Sequence, residues 1–312
     1  MVFLSEKLRE VYRWWRRPIP STNWRQVGAI FLGGVLLAPL VYYLPLLGHD
    51  WLKVFYAGEI AMYPPWVGLI FSPFRLLPWR ISLALINSLT LAGVAVITAC
   101  QSKRVLWDGL QAAALALLTP SLWYLLWDGQ IDGLILIGML FLPWSIPIVL
   151  LRPQIIGWML LSRRRWTIWA ALWLGVSFVL WKNWFGVALL RSRGSILHPT
   201  AMGWATLGWP ILLLGIGMLL TAGGNPWRIL AGAFVASPYV QPYHIIMLLP
   251  ALGRVGGWRR WVLWGLMWAV GSVPAFMGLT RYTGLVVAFA VWWYLRHDTQ
   301  EAFCEPIPSS TL

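Results

Sequence analysis

The chain has 312 residues, of which 59% are hydrophobic and only 11% charged, against about 25% charged in an ordinary soluble domain. Its apolar residues gather in long runs parted by short basic clusters, the pattern of a chain that crosses a membrane repeatedly, which excludes a pair of soluble domains. The formal net charge of +14 does not point to nucleic acid, because the lysines and arginines sit between apolar runs, as topology signals and contacts to anionic headgroups do.

Residues 1–25 read as a cytoplasmic, interfacial segment. Arg9, Arg13, Arg16 and Arg17 stand beside Tyr12, Trp14 and Trp15, a mixture suited to the inner headgroup layer, and no early apolar region makes this a secretory signal peptide. Residues 26–296 read as an all-α transmembrane domain of about 8–11 membrane segments, several broken or re-entrant. The first span, about Gln26 to Leu47, follows a basic cluster and so points outward. An outer loop over residues 48–80 comes next. Its apolar stretch from Trp66 to Pro78 is too short to cross ~30 Å of hydrocarbon and reads as a helix lying along the outer surface.

Ile81 to Ala99 returns inward to Lys103 and Arg104, and Leu106 to Leu126 goes out again to Asp128-Gly129-Gln130-Ile131-Asp132. The run from Ile131 to Leu161 is interrupted by Pro143, Pro147 and Arg152-Pro153-Gln154, and holds either one full span or three partial ones. Trp166 to Trp181 goes out, and Ala201 to Thr221 comes back. Ile229 to Leu252 is basic at both ends, so Ser237 to His244 reads as the outer turn of a short hairpin. Two last passes leave residues 297–312 as a cytoplasmic tail. Cys100 and Cys304 both fall at or inside the cytoplasmic boundary, where a disulfide is not expected.

The chain has 10 carboxylates, and those outside cytoplasmic segments form two islands: Asp50 with Glu59, and Asp128 with Asp132. Ionisable groups at membrane depth are costly and therefore functional candidates. Asp50, among Trp51, Tyr56 and Tyr63, could be a general base or a solvated loop acid. Arg152 lies between apolar stretches and needs an anionic partner, either Asp132 or a substrate phosphate. Lys182, Arg191 and Arg193 suit a phosphate or lipid headgroups, and His244 could orient a substrate hydroxyl or be a bonded interior histidine. The 4 histidines make no metal-ligand spacing, so neither a metal nor another cofactor is expected.

Taken in order, these islands are His49-Asp50-Trp51, Tyr63-Pro64-Pro65 before an apolar run, Gly129-Gln130 opening a span, Arg152-Pro153-Gln154, and Ser237-Pro238 followed by His244. The order resembles that of bacterial polyprenyl-phosphate-mannose-dependent α-mannosyltransferases, within the GT-C class of membrane glycosyltransferases, over about residues 26 to 260. The resemblance implies an extracytoplasmic active site in the plasma membrane. It also implies a polyprenyl-phosphate sugar as donor and a lipid-linked or surface glycan as acceptor. Asp50 would then be the base and His244 a second catalytic residue. Glu59, Tyr63, Gln130, Asp132, Arg152, Gln154, Lys182, Arg191 and Arg193 are the substrate-binding set. This chain is short for the family, carries Asp132 where Asn is commoner, and has Arg152 where Lys is more usual. A lipid or solute transporter and a non-catalytic membrane subunit are the competing readings. The transporter requires ionisable residues along a path through the bilayer.

Overall fold

The computed structural model describes residues 12, 24–57, 63–102, 106–188, 190, 201–272 and 277–298. Among these residues the chain is helical with no β-strand, although an isolated bridge joins Met202 to Val240. Two helices are long and apolar enough to cross a membrane: α1 (Trp24–Tyr42) and α3 (Trp79–Cys100). Helices α4 (Leu106–Leu117) and α5 (Pro120–Asp128) qualify together as a third span, bent by 55° at their junction. That bend falls where Thr119 is extended and Pro120 takes the first helical turn of α5, because proline lacks the N–H needed to continue α4.

Helix α3 is the axis of one half of the molecule. Its 22 residues correspond to about 33 Å of helix, close to the thickness of a hydrocarbon core. It buries Ser82, Asn87, Ser88, Thr90 and Thr98 along with its apolar residues, and packs on α1, α4 and α6 (Asp132–Gly138). Helix α1 has its other face open: Phe31, Leu32, Val35, Leu36 and Leu40 are exposed. A continuous apolar face of this kind is a liability in water and is matched by lipid.

The surface stretch expected at Trp66 to Pro78 is a short helix, α2 (Val67–Phe71), continued by a 3-10 segment (Ser72–Leu76). After α6 and a 3-10 turn (Met139–Phe141) the chain forms only α7 (Ile146–Val149) and α8 (Pro153–Leu160). The run from Ile131 to Leu161 is therefore several short pieces rather than one continuous span. Its prolines explain this: Pro147 and Pro153 each stand in a first helical turn, where a proline opens a new helix but cannot continue the one before it.

Helix α9 (Arg164–Trp181) is followed by α10 (Trp204–Leu207) and α11 (Trp209–Leu220). Helix α12 (Pro226–Ala236) is the centre of the second half, since all its residues are buried. Asn225 caps it, its side-chain oxygen accepting from the N–H groups of Trp227 and Arg228, the usual remedy for the open donors of a helix start. A 3-10 segment (Pro242–Leu248), α13 (Ala251–Arg254), α14 (Trp258–Ser272) and α15 (Met277–Tyr294) complete the described chain.

Two polar clusters lie at opposite ends of α3. At its C-terminal end Gln101 accepts from the Trp227 indole N–H at 2.9 Å, and Arg254 and Asn225 both bind Asp298. There Arg260, 1% exposed, donates to both carboxylate oxygens of Asp108 at 2.9 Å. At the N-terminal end the loop after α1 docks, with the Trp51 indole N–H on Ser82 at 2.9 Å. The expectation of reduced cysteines is not met: Cys100, at the end of α3, is disulfide-bonded. Asp298 is tied to Asn225 and Arg254 at this end of the molecule; Cys304 itself lies outside the described residues.

Gly133 is where α6 meets α3 most closely, since a Cβ there would stand 2.2 Å from Thr90 Cγ2. Gly133→Ala therefore lowers the thermal midpoint of the purified protein. The overpacking, about 1–3 kcal/mol, exceeds the roughly 1 kcal/mol that alanine gains over glycine in a helix. A midpoint at or above wild type would contradict the contact.

Candidate functional site

The site is assembled from four loops and breaks. The first begins at Gly48, whose N–H donates to the Trp127 carbonyl at 2.8 Å, binding the loop after α1 to the end of α5. Trp51 and Phe55 lie fully buried in a π-helical turn (Trp51–Tyr56), against Phe71 and Tyr63. This aromatic packing holds the loop, and it leaves the neighbouring Asp50 side chain 27% and His49 57% exposed.

The second piece is the turn after α5. Gly129 ends that helix with φ 76°, and a Cβ there would stand 2.6 Å from the Trp51 Cβ. Only glycine meets both demands, and it delivers Gln130 into the interior. The third is the break before α8, where Arg152 leaves the helical conformation (φ -127°, ψ 65°) ahead of Pro153. The fourth is the 3-10 segment carrying His244, entered through Gln241.

Hydrogen bonds join these pieces into one network. Arg152 donates from Nε to Asp132 Oδ1 and from Nη2 to Asp132 Oδ2, each at 3.2 Å. Its Nη2 also donates to Tyr63 Oη at 2.8 Å and to Gln130 Oε1 at 3.1 Å. Tyr63 in turn donates to Gln130 Oε1 at 3.3 Å. From its other side, Gln130 Nε2 donates to Asp50 Oδ2, and to Asp128 Oδ2 at 3.3 Å. Burial raises the Tyr63 phenol above its ordinary value, more than the Arg152 guanidinium lowers it, so Tyr63 remains a hydroxyl that can donate.

Asp132 and His244 are fully buried. His244 Nδ1 accepts the Gln241 backbone N–H at 2.9 Å. In the neutral ring the proton is then on Nε2, which lies 3.5 Å from Asp132 Oδ1 without forming a hydrogen bond. The Arg152 guanidinium stands 4.8 Å from the Tyr63 ring centre and 5.9 Å from that of Tyr243, close enough for cation–π attraction. The neighbouring Gly133 sets the depth of Asp132, at the level of Thr90 near the middle of α3. Asp50 lies nearer the start of that helix, where Trp51 meets Ser82.

Of the residues singled out in the sequence, Asp50, Tyr63, Gln130, Asp132, Arg152 and His244 come together here. Gln154 does not join them; its backbone carbonyl accepts from Ser237 Oγ at 2.5 Å. Lys182 is exposed beyond the end of α9, apart from the network. Glu59, Arg191 and Arg193 lie outside the described residues. Sequence reasoning passed over Tyr243, whose place beside His244 was the available signal. It also passed over a grouping of His49 with Asp50 and Asp128. One ring nitrogen of His49 and one oxygen each of Asp50 and Asp128 lie within 4.8 Å of one another, a donor set that could hold a cation. No spacing rule shows it, because the Gly48–Trp127 hydrogen bond brings the distant residues together.

Tyr63→Phe tests the network without removing a charge. It deletes one donor to Gln130 and one acceptor for Arg152, both buried, and should lower the unfolding free energy in micelles by about 1–2 kcal/mol. Unchanged stability would mean that Tyr63 is not part of the network. Compared with known protein families, characterised proteins and solved structures, the chain matches none.

Proposed function

We propose that the chain is an integral plasma-membrane glycosyltransferase of GT-C type, with its active site on the extracytoplasmic side. Its substrates are a polyprenyl-phosphate sugar, with mannose the sugar the sequence resemblance favours, and a lipid-linked or surface glycan. One observation carries the reading: a partly exposed carboxylate, Asp50, is joined through a single side chain, Gln130, to a buried guanidinium, Arg152. Transfer to a hydroxyl needs a base at the acceptor and a cation near the departing phosphate. Within the described residues the hydrogen bonds of Arg152 run through Nε and Nη2, which leaves its Nη1 edge for a phosphate oxygen.

In this scheme the acceptor O–H gives its proton to Asp50 as its oxygen bonds to the anomeric carbon of the sugar. The bond from that carbon to the phosphate oxygen breaks, and its electron pair leaves with polyprenyl phosphate beside Arg152. Asp132 holds the guanidinium from the far side, with His244 beside it. A transporter would need ionisable groups continuing toward the opposite end of α3. Instead Val94, Ile97, Leu136 and Met139 are buried in the core below Asp132.

The proposed topology is a polytopic bundle of about 8–11 membrane segments with both termini cytoplasmic. The basic clusters support it; the Cys100 disulfide pulls the other way, because reducing compartments keep such bonds rare. Sided labelling discriminates between the two. An impermeant thiol reagent should label His49→Cys in intact cells and Trp107→Cys only after permeabilisation, and the opposite pattern would invert the topology.

The direct test of function is sugar transfer from a radiolabelled polyprenyl-phosphate donor by purified protein. Asp50→Asn should lower kcat by about 10²–10⁴-fold, the usual contribution of a general base. Robust transfer by that variant would remove Asp50 from the mechanism. No transfer by wild type with any common donor would favour the non-catalytic reading.

A further inference from the structure

Gln130 is 2% exposed, and its amide is used on both sides. Its oxygen accepts from Tyr63 and Arg152, and its nitrogen donates to Asp50 and Asp128. A guanidinium has only donors and an ionised carboxylate only acceptors, so the amide cannot turn over. Reversed, it would set N–H groups against Arg152 and a carbonyl oxygen against two acids. Its backbone is fixed as well, because Gly129 lies hard against Trp51 in a left-handed turn.

We propose that Gln130 is a positioning residue that orients the Asp50 carboxylate for the transfer proposed above. The fixed direction of Arg152 passes through a one-way amide to Asp50 Oδ2. That oxygen is thereby engaged by a buried partner, whereas Oδ1 meets only the exposed His49 ring, 3.3 Å from its Nδ1, a contact the acceptor hydroxyl displaces when it gives up its proton. The same N–H group stands between the like charges of Asp50 and Asp128 and relieves their repulsion. The kinetic part of this inference rests on the glycosyltransferase reading; the placement of the amide does not.

Two substitutions separate the two sides of the amide. Gln130→Glu keeps an oxygen for Tyr63 and Arg152 but replaces the donor to Asp50 with a third acid, whereas Gln130→Leu removes both sides. If Gln130 orients Asp50, both variants lose kcat by about 10²-fold, the cost of a misplaced reacting group, while KM for the donor stays near wild type. If Gln130 only satisfies Arg152, Gln130→Glu retains most of kcat, which overturns the proposal.

A second measurement does not depend on activity. Gln130→Glu sets three carboxylates together, so its thermal midpoint at neutral pH should rise on adding calcium chloride by more than that of wild type or Gln130→Leu. No added response would show that residue 130 does not face Asp50 and Asp128, and would overturn the placement. Inactivity of wild type with a normal calcium response of Gln130→Glu would sink the reaction and leave the placement standing.

Discussion

The buried pair of Asp132 and Arg152 is the interaction on which the half of the molecule around the start of α3 depends. A charge withdrawn from water is tolerated only with an opposite charge and hydrogen bonds to its remaining atoms. Each such demand fixes a different part of the chain. Asp132 anchors the start of α6, Arg152 the break before α8, Tyr63 the loop ahead of α2, and Gln130 the turn after α5. His244, beside Asp132, brings in the 3-10 segment after α12. Short, proline-broken pieces have few internal hydrogen bonds with which to hold themselves, and this network supplies the cross-links that long helices do not need.

The same arrangement links a buried charge to a wet one. Arg152 and Asp132 nearly neutralise one another at depth, while Asp50 keeps access to solvent, and Gln130 is the link between them. At the other end of α3, Arg260 and Asp108, with Arg254 and Asp298, form a separate polar cluster. Apolar core lies between the two. Polar groups at both ends and apolar surface between them suit a chain that is wet at each end and in contact with lipid along its length.

The legible parts of the fold were the long ones. Helices α1 and α3 stand out because an unbroken apolar run of about 20 residues has few alternatives. The bend at Thr119-Pro120 was missed, because a proline can open a helix as readily as kink one. The pieces between Ile131 and Leu161 stayed undecided for the same reason. The Cys100 disulfide was misjudged because compartment was inferred from charge alone. In the site, Asp50, Tyr63, Gln130, Asp132, Arg152 and His244 were visible as polar residues set in apolar sequence, where burial demands partners. Gln154 and Lys182 carried the same signal, yet a backbone contact and an exposed helix end account for them. The meeting of His49 with Asp128 depends on one backbone hydrogen bond between distant segments, which no local pattern encodes.

The central claim is that Asp132 and Arg152 act as one unit, and a double-mutant cycle in mixed micelles measures this directly. Asp132→Asn and Arg152→Met should each cost about 3–5 kcal/mol of unfolding free energy, because each strands a buried charge. The double variant should cost little more than either alone, a coupling of several kcal/mol. Additivity to within about 0.5 kcal/mol, as found for residues that do not interact, would contradict the account.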